Sequence, residues 1–263
     1  MKITIIGGGN MGGAMAKGMA AGKIVPASDI YVTTKSEASA QKLHDTTPQI
    51  HTGTDNRQAV KGADLIILAI KPWLLEGVIE EIKAELDYTH QAIASVVAGV
   101  DFEALQRMLD NGSGIRPTLF RIIPNTAISI GESVTFIAAE GADEAQIDLL
   151  KRIFDELGLT LVIPEAMMPA GTSLASCGIA FALRYMRDAM QGGVELGFTP
   201  QEARQIVMQT VRGALEMLVH NDTMPQTEID KVTTPGGITL KGLSAMDEAG
   251  FTAAVKAGLF KSR

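Results

Sequence analysis

Lys2–Ile6 (KITII) runs directly into Gly7–Gly12 (GGGNMG), and this junction decides the fold. The short β-branched run predicts a buried parallel strand, and the segment after the glycines predicts a helix. Gly7, Gly9 and Gly12 satisfy G-x-G-x-x-G, in which they serve a tight turn, the approach of a pyrophosphate and helix–strand packing. The alternative is a glycine-rich turn without a ligand. The junction therefore predicts a dinucleotide site at Gly7, Gly9, Asn10, Met11 and Gly12.

Outward from this junction, strand-like and helix-like segments alternate, which predicts right-handed crossovers on a parallel sheet. The first segments are expected as strands at Asp29–Thr33, Ala63–Ile70 and Ala92–Val97, with helices at Met11–Ala21, Ser36–His44, Leu74–Leu86 and Asp101–Leu109. Further strands are expected at Leu119–Ile123, Val134–Ala138 and Leu159–Ile163, with a helix at Asp143–Leu157.

After Pro164 the strand signals largely stop. Helices are expected at Pro169–Gly197 (interrupted by glycines), at Pro200–His220 and around Gly242–Lys256. The predicted architecture is α/β, with an N-terminal Rossmann-type, doubly wound, mostly parallel sheet over residues 1–163 and an all-helical domain over residues 164–263. The helices of the second domain are so rich in Ala, Met and Gly that their apolar surface is not expected to remain exposed to solvent. This predicts that they pair in a homodimer.

Composition narrows the function classes. The formal charge is −7 without a Lys/Arg block and aromatics make up 5%, which argues against nucleic acid as a partner. The single cysteine excludes an internal disulfide and a cysteine-based zinc site. Neither a signal peptide nor a membrane-length apolar stretch is expected. We therefore expect a cytoplasmic protein without a membrane partner.

The end of the second strand predicts which dinucleotide binds. Val32-Thr33-Thr34-Lys35-Ser36 contains no acid before Glu37, whereas NAD binders place Asp or Glu near this point to accept from the ribose 2′-hydroxyl. Hydroxyls and an ammonium suit a 2′-phosphate, so Thr34 and Lys35 predict NADPH, with NADH left open as a second donor. The alternative for Lys35 is an ordinary solvated lysine.

A second unusual stretch lies near the end of the chain. Asp230–Leu240 contains Thr-Thr-Pro-Gly-Gly directly before a predicted helix, so main-chain N–H groups and a helix N-terminus converge. Such a concave arrangement suits a carboxylate. The alternative is a Pro-Gly turn that only begins the last helix.

DKVTTPGGITLKGL at 230–243 resembles the C-terminal signature of pyrroline-5-carboxylate reductases, which runs approximately D-x-V-x-S/T-P-G-G-x-T. Three further stretches are similar to family motifs and occur in the family's order. They are Ala69–Pro72 (AIKP, for A-V-K-P), Arg121–Thr126 (RIIPNT, for R-x-M-P-N-T) and Ser176–Phe181 (SCGIAF, for G-S-G-P-A-Y/F). With the glycine loop, the resemblance covers nearly the whole chain.

The resemblance implies NADPH-dependent reduction of the C=N bond of 1-pyrroline-5-carboxylate to L-proline. It implies that the Thr239 hydroxyl contacts the imine nitrogen and is catalytic. It places the substrate at Val232, Thr234, Gly236, Gly237, Thr239 and Asn125, and the cofactor also at Asn56, Ala69, Ile70, Lys71 and Pro72. A solvent-facing lysine at 71 and a turn-forming asparagine at 125 stay open as alternatives. The resemblance also implies a homo-oligomer, either a dimer or a ring of dimers.

The chain departs from the family pattern at Cys177, at Ile179 and at Ile123, where the family has methionine, and three rival functions compete with the family assignment. Cys177 and Ile179 replace the serine and proline of G-S-G-P, which leaves the role of Cys177 open between carboxylate binding and packing. A β-hydroxyacid dehydrogenase would carry a lysine on the long helix of the second domain, but Pro169–Gly197 contains no lysine. The second rival is a related imine reductase, and the third is a non-catalytic NADPH-binding regulator.

Overall fold

The computed structural model describes all residues, 1–263, as two compact units, Met1–Ser176 and Cys177–Arg263. The first unit contains an eight-stranded sheet. The strands are β1 Ile3–Ile6, β2 Ile30–Thr33, β3 His51–Gly53, β4 Leu65–Leu68, β5 Ala92–Ser95, β6 Thr118–Ile123, β7 Ser133–Glu140 and β8 Gly158–Val162.

The sheet has the order β3-β2-β1-β4-β5-β6-β7-β8. All neighbouring strands are parallel except β6 and β7, which pair antiparallel. The chain runs outward from β1 in one direction and then restarts at β4 in the other, so the strand order reverses between β1 and β4. The predicted Rossmann-type, doubly wound sheet is confirmed. Ligands bind such sheets beyond the carboxyl ends of the strands at this switch point.

Helices cover both faces of the sheet. They are α1 Asn10–Ala21, α2 Glu37–Thr46, α3 Asn56–Val60, α4 Leu75–Ile82, α5 Phe102–Leu109, α6 Glu144–Asp155 and the short α7 Met168–Gly171. Met15 and Phe154 are fully buried on one face, and Ile79 and Leu105 lie in the core on the other. Ser36 and Asp101, the first residues of two predicted helices, are the N-caps of α2 and α5, since each side chain accepts from a main-chain N–H three residues on.

Several boundaries differ from the predictions. The strand expected at Ala63–Ile70 is only Leu65–Leu68, although the flanking N–H groups of Asp64 and Ala69 still donate to the Lys2 and Ile6 carbonyl oxygens. The helix expected at Leu74–Leu86 is α-helical only over Leu75–Ile82, with 3₁₀ turns at Pro72–Leu74 and Lys83–Glu85. Strand β3 and helix α3 were not predicted, since segments of three and five residues show no usable periodicity.

Residues 165–176 pack with the sheet. The Glu165 carboxylate accepts from Arg121 Nη1 and from the Phe102 main-chain N–H, both at 2.8 Å. Met168 is completely buried in the core beside Phe136. These contacts explain why the first compact unit continues to Ser176, beyond the division predicted at 163/164.

The second unit is entirely helical, as predicted. Its helices are α8 Gly178–Glu195, α9 Pro200–Asn221, α10 Pro225–Val232, α11 Ile238–Glu248 and α12 Phe251–Lys261. The single helix expected around Gly242–Lys256 is instead two helices, because Gly250 adopts a left-handed backbone with φ +86°. Helix α10 was not predicted. The interruption expected within Pro169–Gly197 is a π-helical turn at Thr172–Cys177 rather than a break at a glycine.

This helical unit buries almost none of its own side chains. Only Ala203 and Glu228 are buried within it, whereas Leu196 and Ile238 are 84% and 88% exposed. One helical run, Glu165–Glu195, is long and apolar enough to cross a membrane by length and composition alone. The expectation of no membrane-length apolar stretch was therefore wrong, because no charged residue lies between Glu165 and Arg184.

Candidate functional site

The glycine loop is packed against the end of β4. Gly7 has φ +108°, and a Cβ built there would lie 2.4 Å from the Ala69 carbonyl oxygen. A Cβ at Gly12 would lie 2.0 Å from the Gly7 carbonyl oxygen, whereas a Cβ at Gly9 would meet nothing within 4 Å. The loop therefore needs glycine at 7 and 12 for its own packing, and at Gly9 it leaves open space for a ligand.

Helix α1 begins in this loop without a side-chain cap. The main-chain N–H groups of Gly7 and Gly8 both donate to the Thr33 carbonyl oxygen, at 3.0 and 2.8 Å. The next N–H groups, at the start of α1, belong to the first helical turn, which has no partners inside the helix. Asn10 is exposed there and Met11 is half-buried. This end of α1 is suited to an anion such as a pyrophosphate.

The end of β2 lies directly beside the loop. Thr34 is buried, and its hydroxyl donates to the Ser36 carbonyl oxygen at 2.9 Å. Lys35 is exposed and has no carboxylate partner. Asn56 begins α3 and donates from Nδ2 to Glu81 Oε2 at 3.0 Å. Of the three predicted adenosine-side residues, Lys35 alone has its polar group free.

The segment Ala69–Pro72 follows β4, the strand next to β1. Ala69 donates its main-chain N–H to the Ile6 carbonyl oxygen at 2.8 Å, so this segment stays beside the glycine loop. Lys71 is exposed and precedes a 3₁₀ turn that begins at Pro72. Trp73, the single tryptophan of the chain, is 77% exposed in that turn.

Asn125 forms the turn after β6. It is buried, its Oδ1 accepts from the Ala127 N–H at 3.1 Å, and its own N–H donates to Ser133 Oγ at 3.2 Å. Its Nδ2 donates to no group of the chain. The turn-forming role that the sequence left open is therefore present, and one amide donor is left for a ligand.

The structure brings two of the sequence motifs together. Ser176 Oγ donates to the Pro124 carbonyl oxygen at 3.3 Å, which joins the π-helical turn to the turn at Asn125. Arg121 of the same motif pairs with Glu165, and both side chains are mostly buried. These contacts give Arg121 and Ser176 structural roles that the sequence did not assign.

The Thr-Thr-Pro-Gly-Gly turn, residues 233–237, connects α10 with α11. Gly236 has φ +73°, and the Gly237 N–H donates to the Thr234 carbonyl oxygen at 2.8 Å. A Cβ at Gly237 would lie 2.5 Å from Thr234 Oγ1. Helix α11 starts after Gly237 without a side-chain cap, so its first N–H groups are left for a ligand. The turn is thus suited to an anion, and we call it the candidate second main-chain anion site.

Thr239 is the second residue of α11 and is exposed. Its hydroxyl makes no hydrogen bond within the chain, in contrast to that of Thr233, which donates to the Ile229 carbonyl oxygen at 3.1 Å. Val232 ends α10 and is 57% exposed. All the predicted substrate residues of this unit therefore lie around one turn.

A buried carboxylate lies just before this turn, and the sequence did not predict it. Glu228 Oε1 accepts from Lys231 Nζ at 2.7 Å and Thr223 Oγ1 at 2.6 Å, while Oε2 is buried without a partner. The Lys231 ammonium and the Thr223 hydroxyl lower the pKa of Glu228. The spacing E-x-x-K after Pro225 was the available signal, since residues three apart share a helix face.

Comparison with known proteins gives consistent matches along the chain. The family model for pyrroline-5-carboxylate reductase dimerisation matches residues 165–263, and that for NADP oxidoreductase, coenzyme F420-dependent, matches residues 2–99. Pyrroline-5-carboxylate reductase 1 of Dictyostelium discoideum is 34% identical over 99% of this chain, which spans 48% of that relative's length. Pyrroline-5-carboxylate reductase 2 of the same organism is 32% identical over 99% of this chain and 90% of its own.

The chain belongs to the pyrroline-5-carboxylate reductase family. A solved structure of Plasmodium falciparum pyrroline carboxylate reductase with NADP bound shares the fold, with a TM-score of 0.87 and 23% identity over 100% of this chain and 95% of that one. The predicted family and the all-helical dimerisation domain are thus confirmed, and a homo-oligomer follows from the dimerisation domain.

The glycine loop of this reductase fits a phosphorylated dinucleotide. Space is left at Gly9 alone, and a Cβ at either Gly7 or Gly12 would occupy the positions of main-chain atoms. The donors at the end of β2 are hydroxyls and an ammonium, without a carboxylate before Glu37. This donor set suits the 2′-phosphate of NADP.

The reductase departs from its family at Cys177 and Ile179. Cys177 is half-buried and ends the π-helical turn, and Ile179 lies in the first turn of α8. Isoleucine keeps the main-chain N–H that proline would lack, so the π-helical turn continues directly into α8.

Proposed function

We propose that this chain reduces the C=N bond of 1-pyrroline-5-carboxylate with NADPH and forms L-proline, the last step of proline biosynthesis. The observation that carries the proposal is the pairing, in one chain, of an open glycine loop with a second main-chain anion site that has a free hydroxyl at Thr239. Family membership supports both the substrate and NADP(H) as the cofactor.

The second anion site binds the substrate carboxylate in this proposal. The main-chain N–H groups of Thr234 and Gly236, with the N-terminus of α11 that follows Gly237, hold the carboxylate beside Val232. The Thr239 hydroxyl then contacts the imine nitrogen. It orients that nitrogen and passes a proton through water, which makes Thr239 the catalytic residue.

The cofactor supplies a hydride when bound, and the chain supplies orientation. A protonated imine accepts hydride readily, so the reaction needs positioning more than acid–base groups. Gly7–Gly12 hold the pyrophosphate, and Thr34, Lys35 and Asn56 hold the adenosine side. Ala69, Ile70, Lys71 and Pro72 lie along the cofactor, and the free Nδ2 of Asn125 donates near the nicotinamide or the substrate.

We further propose that the oligomer is a cytoplasmic homodimer whose helical units interlock, and that the functional division lies at 163/164, beside the start of the dimerisation match at residue 165. The large apolar surface of the helical unit supports a dimer. Light scattering at micromolar concentration should give twice the chain mass. A monomer contradicts the dimer, and a larger mass favours a ring of dimers.

Steady-state assays with purified full chain test the reaction. Oxidation of NADPH should depend on added 1-pyrroline-5-carboxylate, and proline should appear in equal amount. NADPH binding without turnover would favour a non-catalytic regulator, and NADP⁺-dependent oxidation of a β-hydroxy acid would favour the dehydrogenase. NADH in place of NADPH measures the cofactor preference, and a six-membered imine acid measures substrate breadth.

A further inference from the structure

A cavity of about 590 Å³ lies between α1 and α2, directly beside the glycine loop. Gly8, Gly9 and Asn10 form its end at the loop. Its volume is in the range of about 300–1,000 Å³ that small-molecule sites occupy. The cavity belongs to the first unit, and its lining does not include Thr34 and Lys35, the residues that the sequence assigned to the 2′-phosphate.

Two helical stripes face each other across this cavity. Helix α1 contributes Lys17, which lies three, four and seven residues from its other lining residues, and helix α2 contributes Lys42, which lies three and four residues from Ser39 and Thr46. Ser39 and Thr46 of α2 add hydroxyls. No carboxylate lines the cavity, in a chain whose net charge is −7. The lining chemistry therefore selects an anion.

Both lysines are exposed and neither pairs with a carboxylate, whereas Lys61, Lys83 and Lys151 each do. Side chains on a helix lean toward its N-terminus, so the ammonium groups of Lys17 and Lys42 lean toward the loop end of the cavity. Glu37, the acid closest to the end of β2, accepts from Thr54 Oγ1 at 2.6 Å and does not line the cavity. Its carboxylate is thus not part of the cavity wall.

The hydroxyls at the start of α2 leave one proton free. Ser36 Oγ caps α2 by accepting from the Ser39 N–H at 3.3 Å, and the two hydroxyls share one hydrogen bond at 3.0 Å. Two hydroxyl protons with one bond between them leave one donor for a ligand. The Thr34 hydroxyl, by contrast, already donates to the Ser36 carbonyl oxygen.

We propose that Lys42, Ser39 and Lys17 form the second wall of the 2′-phosphate pocket and determine the preference for NADPH over NADH. The inference rests on the proposed function only for the identity of the cofactor. Lys42 is the sixth residue of α2, and Lys17 is the eighth residue of α1. Lys42 therefore lies nearer the start of its helix, and we expect it to contribute more than Lys17 to the affinity for the 2′-phosphate.

Calorimetric binding of 2′,5′-ADP and 5′-ADP tests this without turnover. Lys42→Gln should weaken 2′,5′-ADP about tenfold, Lys17→Gln less, and both should leave 5′-ADP unchanged, as expected for one charge-assisted contact to a phosphate. Lys23→Gln, just beyond the far end of α1, removes the same charge and should change neither affinity. Circular dichroism verifies the fold of each variant.

Unchanged 2′,5′-ADP binding in Lys42→Gln and Lys17→Gln overturns the proposal. An equal loss for both nucleotides also overturns it, since the lysines would then act on the 5′-phosphate that both share or on the general electrostatic field. The NADPH-to-NADH ratio of kcat/KM should fall by the same factor as the affinity for 2′,5′-ADP. If the wild type binds 2′,5′-ADP selectively but does not reduce the imine, the proposed function fails while this inference stands.

Discussion

The glycine loop and the turn at residues 233–237 are built from similar residues but are packed differently. Both carry a glycine with positive φ and both lead into a helix without a side-chain cap. In the loop, a Cβ at Gly12 would collide with main chain at 2.0 Å, whereas a Cβ at Gly236 would meet nothing within 4 Å. The loop is therefore held by the sheet, and the turn is held mainly by its own bonds.

The difference extends to the two units. The sheet unit buries two large hydrophobic clusters, one on each face of the sheet, whereas the helical unit buries only Ala203 and Glu228. A helical unit with so little core cannot be stable unless another surface covers it. The glycine loop therefore lies in a unit with its own core, whereas the turn at residues 233–237 lies in a unit whose exposed apolar surface is covered only in the proposed dimer.

Gly12→Val should have the largest effect and break the first site. The new side chain collides with the Gly7 carbonyl, so the loop must move, and NADPH affinity should fall at least about 100-fold. Thermal stability should fall as well. Gly9→Ala is the control, because its Cβ meets no atom, and it should keep the stability of the wild type. Fluorescence titration and thermal unfolding measure both, and unaltered binding in Gly12→Val would refute this view of the loop.

Thr239→Ala should break the second site with a smaller effect. Loss of a hydrogen bond to a charged group costs about 1.5–3 kcal/mol, so kcat/KM should fall about ten- to a hundredfold. The hydroxyl is exposed and bonds nothing in the chain, so the melting temperature should not change. Thr239→Ser keeps the hydroxyl and should retain most of the activity. Kinetics of Thr239→Ala equal to wild type would dismiss Thr239 as the catalytic residue.

Glu228 should make the helical unit sensitive to acid. Its hydrogen bonds to Lys231 and Thr223 lower its pKa below the ordinary value of 4.5. The unfolded chain therefore takes up a proton first as the pH falls, and the stabilisation present above this value is lost below it. The melting temperature of Glu228→Gln should approach that of the wild type as the pH falls from 7 to 4. A constant difference between the two would argue against this linkage.

Tyr88 should make the stability of the sheet unit sensitive to alkaline pH, and this is the smallest of the expected effects. Burial raises the pKa of Tyr88 to about 12, and its hydroxyl donates to the Leu109 carbonyl oxygen at 2.5 Å. The stabilisation is complete below pH 10 and is lost as the pH rises toward 12, since the unfolded phenol ionises first. Tyr88→Phe should cost about 1 kcal/mol at pH 7 and flatten the alkaline decline. Denaturant titrations from pH 7 to 11 measure both changes.

The elements with strong local signals could be predicted from the sequence. Lys2–Ile6 and the glycines gave the start of the sheet, and Ser36 and Asp101 gave helix starts that the structure confirms. Strand β3 could not be predicted, because its three residues form a strand only through the register with β2. The split at Gly250 was missed because one glycine in an apolar helical pattern does not by itself indicate a positive φ.

The candidate sites were predictable where they depend on main chain. In Thr-Thr-Pro-Gly-Gly and in the glycine loop, the residue types alone predict the backbone geometry. The cavity lysines Lys17 and Lys42 were not predictable, because only the tertiary fold places α1 and α2 along the same cavity. Glu165 was missed for the same reason, since its partners Phe102 and Arg121 come from other elements.

The single tryptophan gives this molecule a built-in optical label. Trp73 lies in the turn after β4, and its indole is 77% in contact with solvent. All tryptophan emission of the chain therefore comes from one point on the rim of the sheet. A shift of the tryptophan emission on addition of a small molecule therefore reports a change in the surroundings of Trp73. The rest of the protein surface contributes no tryptophan emission.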